Sequence, residues 1–340
     1  MTPRIIKLIA EIDEFKGYWK GMQRISSGNL STLRIVATIE SIGSSTRIEG
    51  SRLSDSEVSA LLEGLDVRSF RSRDEQEVAG YAKAIQQIQE SFKEIDLTEN
   101  NIKYLHKVLL QFSSKDSWHL GEYKKNSNHV AAFDSNGKQI GIIFETATPL
   151  QTPMMMQALV ELTRSRSQDE DIHPLLTLAD FVLRFLAIHP FQDGNGRLAR
   201  VLTNLMLLRS SYDFVPYASV ERIVEANKDQ YYLALRESQK NLEFNANFSL
   251  TWAQFFLEML VKQKDHLHAK IKREKKANTL PQLANRILQL AKDHGRITVA
   301  FVSNALDANR NTIKKHLQQL VQNGQLLKHG KGRGTYYSLY

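Results

Sequence analysis

The sequence predicts a mainly α-helical protein. An all-helical core is interrupted by one short β-hairpin and followed by a C-terminal winged helix-turn-helix domain. Three observations carry this. Apolar residues recur at helical spacing through most of residues 1–260; Val78, Tyr81, Ala82, Ile85 and Ile88 in the stretch Glu75 to Phe92 are one example. The period changes at 130–144, where AAFDSNGKQIGIIF sets a Ser-Asn-Gly turn between short apolar segments, the pattern of a hairpin. Charge then changes at residue 262. Residues 262–340 hold sixteen Lys/Arg against four Asp/Glu, a balance of +12, which leaves −4 for the rest of a chain whose net charge is +8.

A chain of 340 residues is long enough for two domains. Its 42% hydrophobic and 24% charged residues are ordinary for a globular protein. There is no Cys, which excludes disulfides and thiolate–metal chemistry and fits a reducing compartment. The start, MTPRIIKLIAEIDEFKG, has no long apolar core and makes a poor signal peptide. No apolar run approaches the roughly 20 residues of a membrane span. The expectation is a cytoplasmic protein with no membrane partner. Four segments are expected: a helical region at 1–110, a catalytic core at 111–261, a charged connector at 262–280, and a winged helix-turn-helix at 281–340.

Chemistry concentrates at 189–200, His-Pro-Phe-Gln-Asp-Gly-Asn-Gly-Arg-Leu-Ala-Arg. Apolar helical patterns flank it, Pro174 to Ile188 before and Asn195 to Arg209 after, so the run is a loop between two buried helices. The second helix begins near Asp193 and Gly194. Unpaired backbone N–H groups and the positive end of the helix dipole there suit phosphate. Gly194 and Gly196 lack Cβ atoms, so phosphate oxygens can approach the backbone. Arg197 and Arg200 are three apart on one helix, and guanidinium forks match phosphate oxygens. Asp193 is a hard oxygen ligand suited to Mg²⁺. His189 can stay neutral near pH 7 and accept a hydroxyl proton. No His-Glu-x-x-His zinc pattern and no Gly-x4-Gly-Lys-Ser/Thr loop occurs.

The run resembles the signature of the Fic family, His-x-Phe-x-Asp/Glu-Gly-Asn-Gly/Lys-Arg-x-x-Arg, at every defined position. The resemblance extends to His173-Pro174, to Gly121-Glu122-Tyr123-Lys124, which is similar to the family's Gly-x-Tyr-Arg with Lys for Arg, and to the hairpin, which sits where Fic proteins carry a target-docking flap. After the flap this chain reads Glu-Thr-Ala-Thr-Pro rather than a Val-Pro-Pro type. The resemblance implies transfer of AMP from ATP to a Ser, Thr or Tyr hydroxyl of a target protein, itself included. It implies base His189, metal ligand Asp193, an anion hole of Gly194, Asn195 and Gly196, and phosphate contacts from Arg197 and Arg200. Tyr231-Tyr232 falls where the family has an aromatic pair near the adenine, with Tyr232 the candidate contact; aromatics at helical spacing also build cores.

A second segment, Ser44-Ser45-Thr46-Arg47-Ile48-Glu49-Gly50, resembles the Fic inhibitory motif Ser/Thr-x-x-x-Glu-Gly/Asn. Ser45 and Glu49 share a helix face, and Gly50 is a plausible stop. The resemblance implies that Glu49 pairs with Arg200 and takes the place of the γ-phosphate. In some relatives this Glu also positions water for AMP removal.

Residues 281–340 read as three helices, Pro281 to Asp293, Thr298 to Leu306 and Asn309 to Asn323, then strand, Gly-rich basic wing (HGKGRGT) and strand. In a helix-turn-helix the second helix of the motif enters the major groove. Arg310, Asn311, Thr312 and Lys314 are the base-facing candidates, and Lys315, Lys328, Lys331 and Arg333 the phosphate contacts. Winged helices also dock proteins or form dimers, so DNA and a homodimer both stand as partners. Two readings follow: an adenylyltransferase restrained by its own helix, or a nucleotide-sensing DNA-binding regulator on the same scaffold. A sensor needs phosphate ligands but no base, and His189 favours the enzyme.

Overall fold

The computed structural model describes residues 1–23, 30–64, 70, 72–133, 139–240, 242, 248–278 and 282–339. Two compact units emerge, Met1–Leu267 and His268–Tyr340. In chain order the first holds α1 (Pro3–Gln23), α2 (Leu30–Ile48), α3 (Asp55–Glu63), α4 (Arg73–Ser91), α5 (Glu99–Leu110), β1 (His129–Phe133), β2 (Gln139–Glu145), α6 (Thr152–Gln168), α7 (Pro174–Ile188), α8 (Asn195–Arg209), α9 (Val220–Ala226) and α10 (Lys228–Gln239). The division between units falls within α11 (Leu250–Asn278). No helix among the described residues is long and apolar enough to cross a membrane.

Helix α7 is the centre of the first unit. Pro174 presets φ for its first turn, and His173 caps it by accepting the Leu175 N–H at 3.3 Å. Every residue from Leu175 to Ile188 is buried. A helix apolar on all sides must be enclosed; α6, α8 and α10 pack around it, and Trp252 of α11 donates its indole N–H to Ala179 O at 2.7 Å. Its one buried carboxylate, Asp180, accepts from Arg184 at 2.6 Å and from Arg166 of α6, since an unpaired charge there would be costly.

Helix α2 is equally integral. Its second half carries small side chains, and Ser41 to Thr46 are all buried. Outward-facing Arg47 pairs with Glu225 of α9 at 2.7 Å and with Asp55 of α3 at 2.9 Å, and Lys228 of α10 donates to Ile48 O at 2.7 Å. The helix stops at Gly50, whose φ of +109° favours glycine.

Helices α4 and α5 approach closely at Gly80. A Cβ on Gly80 would lie 1.9 Å from Leu109 O, so the helices would have to separate. Gly80→Ala is expected to cost about 3 kcal/mol, the upper part of the overpacking range, read as a lower urea midpoint.

Strands β1 and β2 pair antiparallel from His129↔Glu145 to Phe133↔Gln139, with two register irregularities. The Ser-Asn-Gly turn expected at 135–137 lies outside the described residues, as do the side chains of 129–144.

The second unit contains α12 (Gln282–His294), α13 (Val299–Ala305), α14 (Arg310–Gln322), β3 (Leu326–His329) and β4 (Tyr336–Leu339). Its core is built from one face of each element, including Ile287, Val302, Ile313, Leu317, Leu326 and Tyr337. The strands pair antiparallel, and Ile297 bridges to Tyr337. The sequence sets a helical or flexible connector at 262–280; residues 262–278 are helical, since α11 runs unbroken to Asn278, and the burial of Leu267 and Ile271 is what charge counting along the chain does not register.

Candidate active site

The loop between α7 and α8 is fixed from inside. Helix α7 ends at His189, whose φ of 52° lies in the left-handed region. For a residue with a Cβ this costs roughly 1–2 kcal/mol. Gly194 takes φ +80° and α8 starts at the next residue. The Asn195 side chain spans the loop, accepting the Phe191 N–H at 2.9 Å and donating to Phe191 O at 2.7 Å. Fully buried Phe191 stacks on His106 of α5, ring centroids 3.9 Å apart. His106 Nδ1 accepts the Gly121 N–H at 3.0 Å, so Nε2 carries the proton and donates to Asp193 O at 3.0 Å. Burial pushes His106 down to about 4, which keeps it in the neutral form this bridge needs.

The same logic sets His189. Its Nδ1 lies 3.3 Å from Leu186 O. A carbonyl only accepts, so Nδ1 holds the proton and the Nε2 lone pair is free. Burial pushes the ring down to about 4, with the Lys124 charge adding to the effect.

Asp193 lies in a cluster of alternating charge. It receives Arg197 at 3.1 Å, Arg73 of α4 at 3.3 Å and the Gly194 N–H. Burial pushes its carboxyl up, but Arg197, that N–H and Arg73 outweigh it, and the group stays below the usual range. Glu77 of α4 completes the ring, 3.2 Å from Arg197 and 2.7 Å from Arg73. Arg197 Nε is buried without a hydrogen-bond partner among the described residues.

Arg200 is held by α2. Its Nε donates to Ser45 Oγ at 2.8 Å, and Nη2 donates to Ser45 O at 2.9 Å and to Glu49 at 2.7 Å. Burial pushes Glu49 up, and the Arg200 and Arg197 guanidiniums hold it down; the net direction is down. Burial pushes Arg200 down, but Glu49 with Tyr81 and Tyr231 outweighs it, and the net direction is up. Gly196 makes the contact possible: a Cβ there would sit 2.2 Å from Glu49 Oε1.

The profile of the Fic/DOC family matches residues 96–207, which contain this loop. Residues 96–207 thus match a Fic/DOC family domain. Curated relatives named protein adenylyltransferase Fic include those of Drosophila yakuba, 28% identical over 212 residues, and Drosophila melanogaster, 29% identical over 189 residues. The alignments take in 62% and 55% of this chain but only 39% and 36% of those proteins. A Fic family protein from Desulfovibrio desulfuricans G20 shares the fold with a TM-score of 0.63 at 21% identity, covering 100% of this chain and 97% of that one. A Fic domain containing signaling protein from Bacteroides thetaiotaomicron gives 0.61 at 23% identity, over 76% and 95%. A second profile, a bacterial protein of unknown function (DUF977), matches residues 271–338.

His189, Asp193, Gly194, Asn195, Gly196, Arg200 and Tyr232 all line one cavity of about 240 Å³, with Glu49 reaching into it. Ser45 lies behind Arg200, and Gly50 ends the helix. Arg197 does not line the cavity; it faces Glu77 and Asp193. Tyr231 and Tyr232 both border the cavity, Tyr231 packed against Trp252 with ring centroids 5.6 Å apart and Tyr232 beside Arg236 and Gln239. Sequence reasoning missed Arg73, Glu77 and His106. Glu77 had a signal, since it lies four residues before core Tyr81 on the same helical face.

In the second unit Arg310, Asn311, Thr312, Lys314 and Lys315 are exposed on α14, and Lys328 and Lys331 are exposed around the hairpin. The side chain of Arg333 lies outside the described residues.

Proposed function

We propose that this Fic domain transfers AMP from ATP to a Ser, Thr or Tyr hydroxyl of a target protein, and that α2 restrains it through Glu49. One observation carries the reading: a neutral histidine with a free Nε2 borders the same cavity as the α8 N-terminus, Asp193 and Arg200. The relatives named adenylyltransferases support it.

In this reading the hydroxyl oxygen attacks the α-phosphorus and its proton passes to His189 Nε2. The bond from the α-phosphorus to the α,β-bridging oxygen breaks, and pyrophosphate leaves. The N–H groups of Asn195 and Gly196 stabilise the charge that develops on the phosphoryl oxygens. Arg200 holds the far end of the polyphosphate once Glu49 withdraws. A rotation of Arg197 away from Glu77 gives its unsatisfied donors a phosphate partner. Tyr232, at the cavity edge, serves as an adenine contact.

Asp193 fits Mg²⁺. It is a single hard carboxylate, and Mg²⁺ takes its other ligands from phosphates and water rather than from a protein cage; among the described residues no three-ligand cluster exists. A bound Mg²⁺ would neutralise phosphate charge during transfer. Glu49, poised above Gly196, is also placed to order a water for the reverse removal of AMP.

The test is label transfer from ATP carrying the tracer on the α- or the γ-phosphate, with self-labelling as the first readout. α-Label supports the reading. γ-Label replaces it with a kinase-like one, and nucleotide binding without any label replaces it with a sensor.

A second reading concerns the C-terminal unit, which we infer to be a winged helix that binds DNA. Its support is the exposed row Arg310, Asn311, Thr312, Lys314 and Lys315 beside a basic hairpin. Lys314→Ala/Lys315→Ala is expected to weaken binding to a generic duplex and to flatten its salt dependence by about one to two units of slope. No binding by wild type at low salt would leave a protein-docking or dimer module.

A further inference from the structure

We propose that Lys124 is a positioning residue that locks the stem of the β1–β2 hairpin to His189, so that a segment docked along the hairpin meets the base in one register. The proposal rests on the transfer reading above and adds to it a residue outside both motifs.

The side chain of Lys124 is buried, and its ammonium has three acceptors for its three protons: Asn128 Oδ1 at 2.8 Å, Thr146 Oγ1 at 2.9 Å and Ile188 O at 3.0 Å. Its backbone N–H donates to Pro190 O at 2.8 Å. Asn128 Nδ2 donates to Phe191 O at 2.8 Å. Carbonyls on both sides of His189 are therefore held from one short segment. That is the over-determination which a left-handed, non-glycine residue needs in order to persist.

The same group closes the hairpin. Asn128 directly precedes β1 and Thr146 directly follows β2. Thr146 Oγ1 donates to Asn128 O at 2.5 Å while accepting from Lys124. A displacement at the stem is thus transmitted to the backbone beside the base. The departure at Glu-Thr-Ala-Thr-Pro has a structural role here, since a Val-Pro-Pro segment has no hydroxyl to offer at this point.

The cost of the arrangement argues that it is used. Among the described residues no carboxylate forms an ion pair with Lys124, and burial pushes it down to about 8. A neutral side chain would tie the same acceptors without a buried charge. An ammonium 3.0 Å from Ile188 O, adjacent to His189, also disfavours protonation of the imidazole.

The test is made in the Glu49→Gly background with Lys124→Met, Lys124→Arg and the isosteric Thr146→Val. α-Label transfer is followed against ATP concentration, and nucleotide affinity is read with a fluorescent ATP analogue. Lys124→Met is expected to lower kcat by about 100-fold, the cost of misplacing a reacting group by about an ångström, with KM and nucleotide affinity within about threefold. Lys124→Arg is expected to restore kcat to within about tenfold of the parent, since a guanidinium keeps the positive charge and offers N–H donors to these acceptors. Thr146→Val, which keeps the shape of the side chain but removes the bond donated to Asn128 O and the one accepted from Lys124, is expected to lose about tenfold in kcat. Unchanged kcat in Lys124→Met overturns the proposal. So does a parallel loss of nucleotide affinity, or an arginine variant no better than methionine, since either means packing alone. A parent that transfers no α-label sinks the transfer reading and this proposal with it. A labelling parent with equally labelling variants sinks this proposal only.

Discussion

Glu49→Gly is expected to raise transfer of label from α-labelled ATP by roughly 100-fold. The number follows from the pair. Removing one partner of a fully buried ion pair is worth about 3–5 kcal/mol. The Glu49 side chain is 30% exposed, so the competition it sets against a phosphate is discounted to about 2–3 kcal/mol, and each 1.4 kcal/mol is tenfold. Glycine also removes the carboxylate that crowds Gly196, where backbone and phosphate must meet. Arg200 keeps both Ser45 contacts in the variant, so its guanidinium stays in place. Ser45→Ala should activate far less, because it leaves the carboxylate where it is. Equal activation by both substitutions would mean that loosening α2, and not removing the carboxylate, releases the enzyme. An unchanged rate in Glu49→Gly would remove the inhibitory role altogether.

His189→Ala, in the same background, is expected to lower transfer by about 10²–10⁴-fold while nucleotide affinity is retained, since the ring supplies a base and not a phosphate contact. The pH profile gives an independent check. Burial and the Lys124 charge hold the ring near 4, while Glu49 and Asp193 pull the other way. The base is therefore deprotonated through the neutral range, and the acid limb of kcat/KM, which reports the free enzyme, should lie well below the free imidazole value near 6.5. Glu49→Gly removes a contribution that raises the pKa and so cannot bring the limb up. An acid limb near 6.5 would mean a solvated ring, contrary to the buried geometry. Full transfer by His189→Ala would assign the base elsewhere.

The parts of this site that could be read from sequence were local. The loop from His189 to Arg200 has its chemistry within twelve residues and two apolar helices to frame it. The Ser45–Glu49 pair has the one-turn spacing of a helix face, although its partner Arg200 is 151 residues away and came from the family pattern. What could not be read were single polar residues on ordinary amphipathic helices. Arg73 meets Asp193 across 120 residues, and His106 meets Asp193 across 87. Neither has a local pattern that separates it from a solvated side chain. The hairpin was legible from its change of period. Lys124 was visible only as a substitution in Gly-x-Tyr-Arg; its link to Ile188 needed the fold. In the C-terminal unit the helices and strands fell close to where apolar spacing sets them, because each buries one regular face.

The proposed placing of the restraint on α2 has a consequence for how the protein is made. The chain is synthesised from its N-terminus, so Ser45 and Glu49 leave the ribosome well before His189 and Arg200. Ser44, Ser45 and Thr46 are fully buried in the first unit, so α2 is part of what must assemble before α8 has its support. In the proposed reading the restraint is also one per molecule whatever the expression level, and neither dilution nor a shortage of a second gene product would remove it.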